Sequence, residues 1–275
     1  MIYETNDSGI VVHDLTDFNP KHVLECGQVF RYTKISKGYR VFSQNFTCIL
    51  IIDANRVIIN TSNTDYFIKY FDLDRDYSEI KRRLSGFHIL KEAIEFGSGI
   101  RILNQDPVET IFSFILSANN NIKRIQNSIE KFCRLKSDMV DDFYPFPSLD
   151  VLGKLQYDDL KFIGAGYRAV NMIKTMKLLS DGFDLNLSSM STHDAKCHLM
   201  KLYGVGSKVA DCILLFAYKR TDVFPTDVWI AKAYNEIYDS TEKSKNKIAK
   251  NLVSNFGELA GYAQQYLFYY FREKK

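Results

Sequence analysis

Leu202-Tyr203-Gly204-Val205-Gly206-Ser207-Lys208-Val209-Ala210-Asp211-Cys212, followed one helix later by Phe224-Pro225-Thr226-Asp227-Val228-Trp229, is the stretch on which the fold turns. Gly204 and Gly206 bracket a single residue, Val205, between two helical patterns. Glycine tolerates positive φ and lets a ligand approach backbone N–H groups closely. A helix that starts just after such a turn presents free N–H groups and a favourable field to an anion. The segment Gly204, Val205, Gly206 therefore reads as a phosphate clamp, with Lys208 just inside the following helix and Asp227 behind a proline nineteen residues on.

Working outward, the chain has 275 residues, 46% hydrophobic and 25% charged, enough for one large domain or two ordinary ones with a sizeable core. The net charge of +3 is uneven. Residues 1–98 hold 12 Lys/Arg against 13 Asp/Glu, and residues 99–275 hold the other 24 against 20. A mild basic excess in the later part permits a nucleic-acid partner without demanding one. The five cysteines, Cys26, Cys48, Cys133, Cys197 and Cys212, are scattered and show no C-x-x-C spacing. They read as reduced thiols of a cytoplasmic protein and, without a C-terminal cluster, speak against an iron–sulfur centre. No apolar run reaches a membrane span, and the first residues lack the pattern of a signal peptide.

Residues 1–70 read mostly as strands. Tyr39–Phe42, Phe46–Ile52 and Arg56–Asn60 are short and rich in β-branched or aromatic residues, separated by Lys37-Gly38, Ser43-Gln44-Asn45 and Asp53-Ala54-Asn55. An antiparallel meander is expected, with a switch to helix over 77–97. Asp106-Pro107-Val108-Glu109 opens a helix in which Asp106 caps, Pro107 fits the first turn and Glu109 reaches back. That helix is apolar nearly all round and ends at Asn119-Asn120-Asn121, where another begins. A second Gly-x-Gly turn, Gly164-Ala165-Gly166, precedes a helix over 168–180, and Ser191 caps the helix entering the central hairpin. A last aromatic-rich helix is expected over about 245–272. The fold class is thus α+β: an antiparallel-sheet domain over 1–98 with flanking helices, then a mainly helical domain over 99–275 containing a helix-hairpin-helix.

A lysine is a covalent amine nucleophile once its ammonium form is disfavoured, as a helix N-terminus and partial burial both do. At a sugar C1′ such an amine displaces the base and leaves a Schiff base, which acidifies the neighbouring carbon and allows strand cleavage by elimination. A nearby carboxylate stabilises the cationic sugar. Lys208 and Asp227 are the residue types for this chemistry. Taken alone, Lys208 reads as a phosphate contact and Asp227 as the cap of the next helix; the proline-led Asp227, one helix after Lys208, turns the reading toward catalysis.

The hairpin and Pro225-Thr226-Asp227 resemble the helix-hairpin-helix-Gly/Pro-Asp signature of DNA base-excision glycosylases. More narrowly, the chain is similar to the 8-oxoguanine DNA glycosylase/lyase branch best known from eukaryotes. The stretches that carry the likeness are Leu24–Arg31, Gln105–Ile122, Gly164–Arg168, Gly204–Cys212 and Ala263–Phe268. The hairpin alone is shared by many DNA-binding proteins; the stretches in this order are specific.

The resemblance implies Lys208 as nucleophile and Asp227 as catalytic carboxylate. It implies that the Gly27 carbonyl accepts from N7–H of 8-oxoguanine and repels the N7 lone pair of guanine. Phe268 and Cys212 would sandwich the flipped base while Gln264 reads its Watson–Crick edge. Asn119 would fill the gap in the duplex, Tyr167 would wedge into the stack, and Arg124 and Arg168 would bond the cytosine opposite. The hairpin backbone at 204–206 would hold phosphate, with a metal ion at 203–206 as an optional aid and no other cofactor. The partner implied is double-stranded DNA carrying 8-oxoguanine opposite cytosine, bound by a monomer without membrane association. Taken alone, Phe268 reads as core, Gln264 as a surface amide, and the arginines as solvated charges. One departure is Trp229, where the eukaryotic relatives carry a phosphate-contacting histidine. Two other readings fit less of the pattern. An alkylpurine glycosylase without lyase activity has no need of Lys208, and a non-catalytic DNA-binding module has no need of Lys208 together with Asp227.

Overall fold

The computed structural model describes residues 2–274. Six strands form one antiparallel sheet: β1 (Tyr3–Asn6), β2 (Gly9–Val12), β3 (Tyr32–Ile35), β4 (Gly38–Ser43), β5 (Phe46–Asp53) and β6 (Arg56–Asn60), in the order β1-β2-β6-β5-β4-β3. The meander holds for β3 to β6. The β1–β2 hairpin then adds beside β6, so the long connection from β2 to β3 must cross the sheet. Strand side chains alternate between faces, and the register places Tyr39, Leu50, Ile59 and Ile10 in one buried row across four strands.

Two helices lie within the stretch read mostly as strands. Helix α1 (Pro20–Glu25) is capped by Asn19 with Pro20 at its first turn. Helix α2 (Thr64–Tyr70) contributes Phe67 and Tyr70. Both pack into a core with Ile10, Val41, Leu50 and Val57.

The helical remainder comprises α3 (Tyr77–Leu84), α4 (Lys91–Phe96), α5 (Pro107–Ser117), α6 (Ile122–Cys133), α7 (Leu149–Leu152), α8 (Arg168–Ser180), α9 (Thr192–Leu199), α10 (Ser207–Tyr218), α11 (Val228–Ile237), α12 (Lys245–Phe256) and α13 (Ala260–Glu273). It surrounds a second core, which also takes Tyr77, Ile80, Leu84 and Leu90 from before residue 98. Packing thus crosses the division expected there. The seam between the cores is polar and satisfied. Arg101, fully buried, donates to the carbonyls of Phe71, Asp17, Asp72 and Arg75 and lies 4.0 Å from the Tyr77 ring centroid.

Two local expectations are corrected. Asp106 does cap α5, accepting from the Glu109 N–H at 2.8 Å. Glu109 does not reach back, however. Its carboxylate accepts from the Gln44 N–H at 2.9 Å and lies 3.6 Å from Arg31, so a tertiary partner outcompetes the local box. The last helix is two helices. Gly257 takes φ +55°, a 3-10 turn spans Gly257–Leu259, and the chain restarts as α13. The break lets Gly261 sit against α10. A Cβ there would stand 2.3 Å from Leu215 Cδ1, and the Gly261 N–H donates to the Thr221 carbonyl at 2.7 Å.

Candidate active site

The hairpin forms as its residues dictate. Ser191 caps α9 by accepting from the Asp194 N–H. Gly204 turns the chain with φ +84°, where a Cβ would press on Asn171 Cβ at 3.0 Å and Ile115 Cγ2 at 3.3 Å. Val205 is buried and holds the turn on the core. Gly206 starts α10 at φ −88° and ψ 179° without a side-chain cap. Only one of the two glycines therefore needs positive φ; Gly206 serves by leaving the first N–H groups of α10 uncapped.

Lys208, in the first turn of α10, is half-buried. Its Nζ lies 5.1 Å from the Phe114 ring centroid, and its charge acts on Cys212 one turn on. Burial pushes the Cys212 thiol up to about 11 against the pull of Lys208, while Asp211 and Asp227 add to the rise. Cys212 is thus a neutral wall at ordinary pH, not a competing nucleophile. Asp211 is buried beside Lys208. Burial raises its carboxyl, opposed by Lys196 at 2.7 Å and by Lys208. The Lys196–Asp211 pair also staples α9 to α10.

Asp227 caps α11: its Oδ1 accepts from the N–H groups of Trp229 at 2.9 Å and Ile230 at 3.0 Å. The cap fixes the carboxylate at a helix start behind buried Pro225 and Thr226. Thr226 and Lys208 line one cavity of about 140 Å³. Asp227 itself is not among that cavity's lining residues; its observed contacts are those of the cap. A larger cleft, of about 550 Å³, lies elsewhere, between Gln44, Asp106, Lys136 and Phe146, and contains none of the predicted residues.

The first and last segments of the chain meet. Gly27 takes φ +84°, and a Cβ on it would stand 2.9 Å from Phe268 Cε1. Its turn is pinned on both sides. Gln265 donates to the Cys26 carbonyl at 2.8 Å, and the fully buried Gln28 amide bridges Val23, Arg101 and Leu103. Gln264 is 4% exposed, and its Oε1 is buried without a hydrogen-bond partner among the described residues. A buried amide oxygen left unpaired is costly unless a ligand satisfies it.

On the outer surface, Asn119 is exposed with φ +49°. Tyr167 is 63% exposed, and its hydroxyl donates to the Ala118 carbonyl at 3.3 Å. Arg124 is exposed in the first turn of α6. Arg168 is turned inward. It is only 7% exposed and its guanidinium donates to the carbonyls of Ala118, Asn119 and Ala165. A left-handed Asn119 leaves loop carbonyls needing donors, and Arg168 supplies them. It braces the Asn119 loop. Trp229 is half-buried and shares a small cleft with Phe271 and Lys232.

Sequence reasoning missed Gln265 and Arg272. Arg272 packs over the Phe268 ring at 5.2 Å and donates to the Glu25 carbonyl. The four-residue spacing of positions 264, 268 and 272 was the available signal. Among the described residues, no group of three or more His, Cys, Asp or Glu could hold a metal ion. At the hairpin, the Tyr203 carbonyl already accepts from the Thr175 hydroxyl and the Gly206 carbonyl from the Ala210 N–H.

An antiparallel sheet joined to a helix-hairpin-helix, with a lysine at the hairpin and an aspartate capping the next helix, defines a class of DNA base-excision proteins. The chain belongs to the HhH-GPD superfamily of base excision DNA repair proteins, matched over residues 112–258, and carries before it the N-terminal domain of 8-oxoguanine DNA glycosylases, matched over residues 10–111. It is 33% identical to a probable N-glycosylase/DNA lyase of Methanothermobacter thermautotrophicus over 72% of this chain and 71% of that one. It is 31% identical to the N-glycosylase/DNA lyase of Saccharomyces cerevisiae over 90% of this chain and 81% of that one. Among solved structures, Clostridium acetobutylicum 8-oxoguanine glycosylase/lyase, in complex with double-stranded DNA containing cytosine opposite 8-oxoguanine, superposes with a TM-score of 0.92 at 36% identity, covering 100% of this chain and 98% of that one.

Proposed function

We propose that this enzyme excises 8-oxoguanine from duplex DNA and nicks the resulting strand, with Lys208 as the amine nucleophile and Asp227 as its electrostatic partner. The activity is that of a DNA glycosylase with abasic-site lyase activity, and double-stranded DNA is its partner. The observation that carries the residue assignment is the placing of half-buried Lys208 in the uncapped first turn of α10, beside the Phe114 ring and lining one cavity with Thr226, the residue before Asp227.

Lys208 Nζ forms a bond to C1′ as the C1′–N9 bond breaks. The electron pair leaves with the base, which takes up a proton. Loss of a second amine proton and opening of the sugar ring give the imine. That imine draws electrons as a C2′ proton departs, and the 3′ phosphate leaves by β-elimination. Asp227, fixed by its two cap bonds, offsets positive charge developing on the sugar.

The base is read between Gly27, whose carbonyl takes N7–H, and Gln264, whose orphaned Oε1 takes a donor of the Watson–Crick edge. Cys212 and Phe268 form the two faces. Tyr167 and Asn119 hold the opened duplex, and Arg124, exposed beside them, favours cytosine opposite the lesion. All of these residues are on one chain, so a monomer suffices.

Borohydride reduces the imine and should trap a covalent complex with 8-oxoguanine DNA. Lys208→Gln abolishes trapping; a complex that persists in that variant rejects Lys208 as the nucleophile.

A further inference from the structure

Gln264, Phe268 and Arg272 are spaced by four residues on α13 and so share one face of the helix. Phe268 is the middle of the three. A purine lying on the Phe268 ring with its Watson–Crick edge toward Gln264 turns its opposite edge, N7 and C8, toward Arg272. Gly27 lies on that same side. A Cβ on Gly27 would stand 2.9 Å from Arg272 Nη1, the same distance as from Phe268 Cε1.

The guanidinium is held there. Arg272 Nε and Nη2 pair with Glu273 Oε1 at 2.9 Å, and Nη2 donates to the Glu25 carbonyl two residues before Gly27. The side chain is 13% exposed, and its guanidinium carbon stands 5.2 Å from the Phe268 ring centroid. Nη1 is buried and has no hydrogen-bond partner among the described residues. A buried donor of a charged group left unpaired carries a large desolvation cost, and this one stands where Gly27 packs closely on Phe268.

We propose that Arg272 is a specificity-determining residue of this site, its Nη1 donating a hydrogen bond to the exocyclic oxygen on C8 of the flipped base. The inference rests on the base-pocket assignment made above for Gly27, Gln264 and Phe268. The lesion differs from guanine at two adjacent atoms: a donor at N7 and an acceptor on C8. The Gly27 carbonyl answers the first and Arg272 the second. Guanine offers C8–H at the latter position and leaves Nη1 without a partner, so both atoms of the difference are read.

The test compares single-turnover excision of 8-oxoguanine and of 8-thioguanine, each opposite cytosine, by the wild type and by Arg272→Met. Sulfur keeps N7–H but is a much poorer acceptor. Cleavage of a preformed abasic strand by the same preparations serves as the internal reference. The wild type should prefer oxygen to sulfur. In Arg272→Met, excision of 8-oxoguanine relative to abasic cleavage should fall roughly ten- to a hundredfold, the loss that one charge-assisted hydrogen bond carries. The preference for oxygen should collapse with it.

An unchanged oxygen-to-sulfur ratio in the variant would overturn the proposal, as would a wild type indifferent to sulfur. So would excision that falls only in proportion to abasic cleavage, since that marks a structural role. A wild type that cleaves abasic strands but leaves 8-oxoguanine in place fails at the prior step and overturns the base-pocket assignment itself.

Discussion

Gly27→Ala probes the point where the two ends of the chain meet. The backbone there has φ +84°, and an added methyl would stand 2.9 Å from Phe268 Cε1 and 3.5 Å from Phe268 Cζ. Two costs follow. Holding an L-residue in the left-handed region costs roughly 1–2 kcal/mol. Restoring an ordinary carbon–carbon contact of about 3.5–4.0 Å then displaces the ring by at least about half an ångström from its place over Arg272. The strain alone predicts a fall in melting temperature of roughly 2–8 °C for a chain of this size. Misplacing a positioning group by about 1 Å can cost on the order of a hundredfold in rate, so excision of 8-oxoguanine should drop by about one to two orders of magnitude. Abasic cleavage through Lys208, which needs no base stacked on Phe268, should fall less. Single-turnover excision and abasic cleavage, measured beside thermal unfolding, give all three numbers. A variant that melts like the wild type and excises at the wild-type rate would refute the close packing of Gly27 on Phe268 as a functional constraint.

Asp227 can be divided into cap and charge. Asp227→Asn keeps a side-chain oxygen for the Trp229 and Ile230 N–H groups, so melting should change little while excision falls about a hundred- to a thousandfold; Asp227→Ala should in addition lose about 0.5–2 kcal/mol of stability. Equal melting of the two variants in thermal scans would reject the cap, and wild-type excision by Asp227→Asn would reject the charge. A pH effect follows from Asp17. Burial alone would raise its carboxyl, but the bonds from Lys81 and Ser78 and the charges of Lys81 and Arg101 outweigh burial and hold it below its usual value of 3.8. A depressed carboxylate contributes stability above its unfolded pKa, and that contribution is lost as pH falls through the folded value. Asp17→Asn should cost on the order of 3 kcal/mol at pH 7 and flatten the loss of stability below about pH 4, as urea unfolding between pH 7 and 3 will measure; parallel curves for variant and wild type would contradict the assignment.

What the sequence made legible was local. The strands β4 to β6 are separated by turn residues that admit few alternatives, and Asn121, Ser191 and Asp106 cap the helices that their positions announced. The hairpin was legible because a Gly-x-Gly turn between two helical periods has few other uses. What escaped is decided between distant segments. Helix α1 is only six residues long, too short to establish a period, and it exists because Asn19 and Pro20 start a turn that the sheet then covers. The break before α13 could not be placed by pattern, since Gly257 and Gly261 both interrupt an aromatic run. The close approach of Leu215 and Thr221 to Gly261 makes Gly257 the hinge. Arg168 reads as a surface charge at a helix start, yet the carbonyls it satisfies lie about fifty residues away. Arg272 contacts Glu25 across 247 positions.

The same distinction bears on how the site is built. Three of the six buried side-chain polar atoms without a hydrogen bond among the described residues lie on α13: Gln264 Oε1, Tyr266 Oη and Arg272 Nη1. Such atoms lower stability, and a helix selected for packing alone would replace them with apolar side chains. Local rules are broken most often where function requires it. Two of the three, Gln264 and Arg272, flank Phe268 on a single face, while Tyr266 is displaced from that face by the helical period. The helix is anchored below by Gly261 on Thr221 and above by Arg272 on Glu25, so the spacing of the two orphaned groups is fixed before DNA arrives. A site that is rigid and unsatisfied in this way gains most from the one base whose two edges fit both groups. On the proposed reading, recognition falls to α13 and the Gly27 turn, and bond breaking to the first turns of α10 and α11. A substitution in one set can then leave the other's geometry standing.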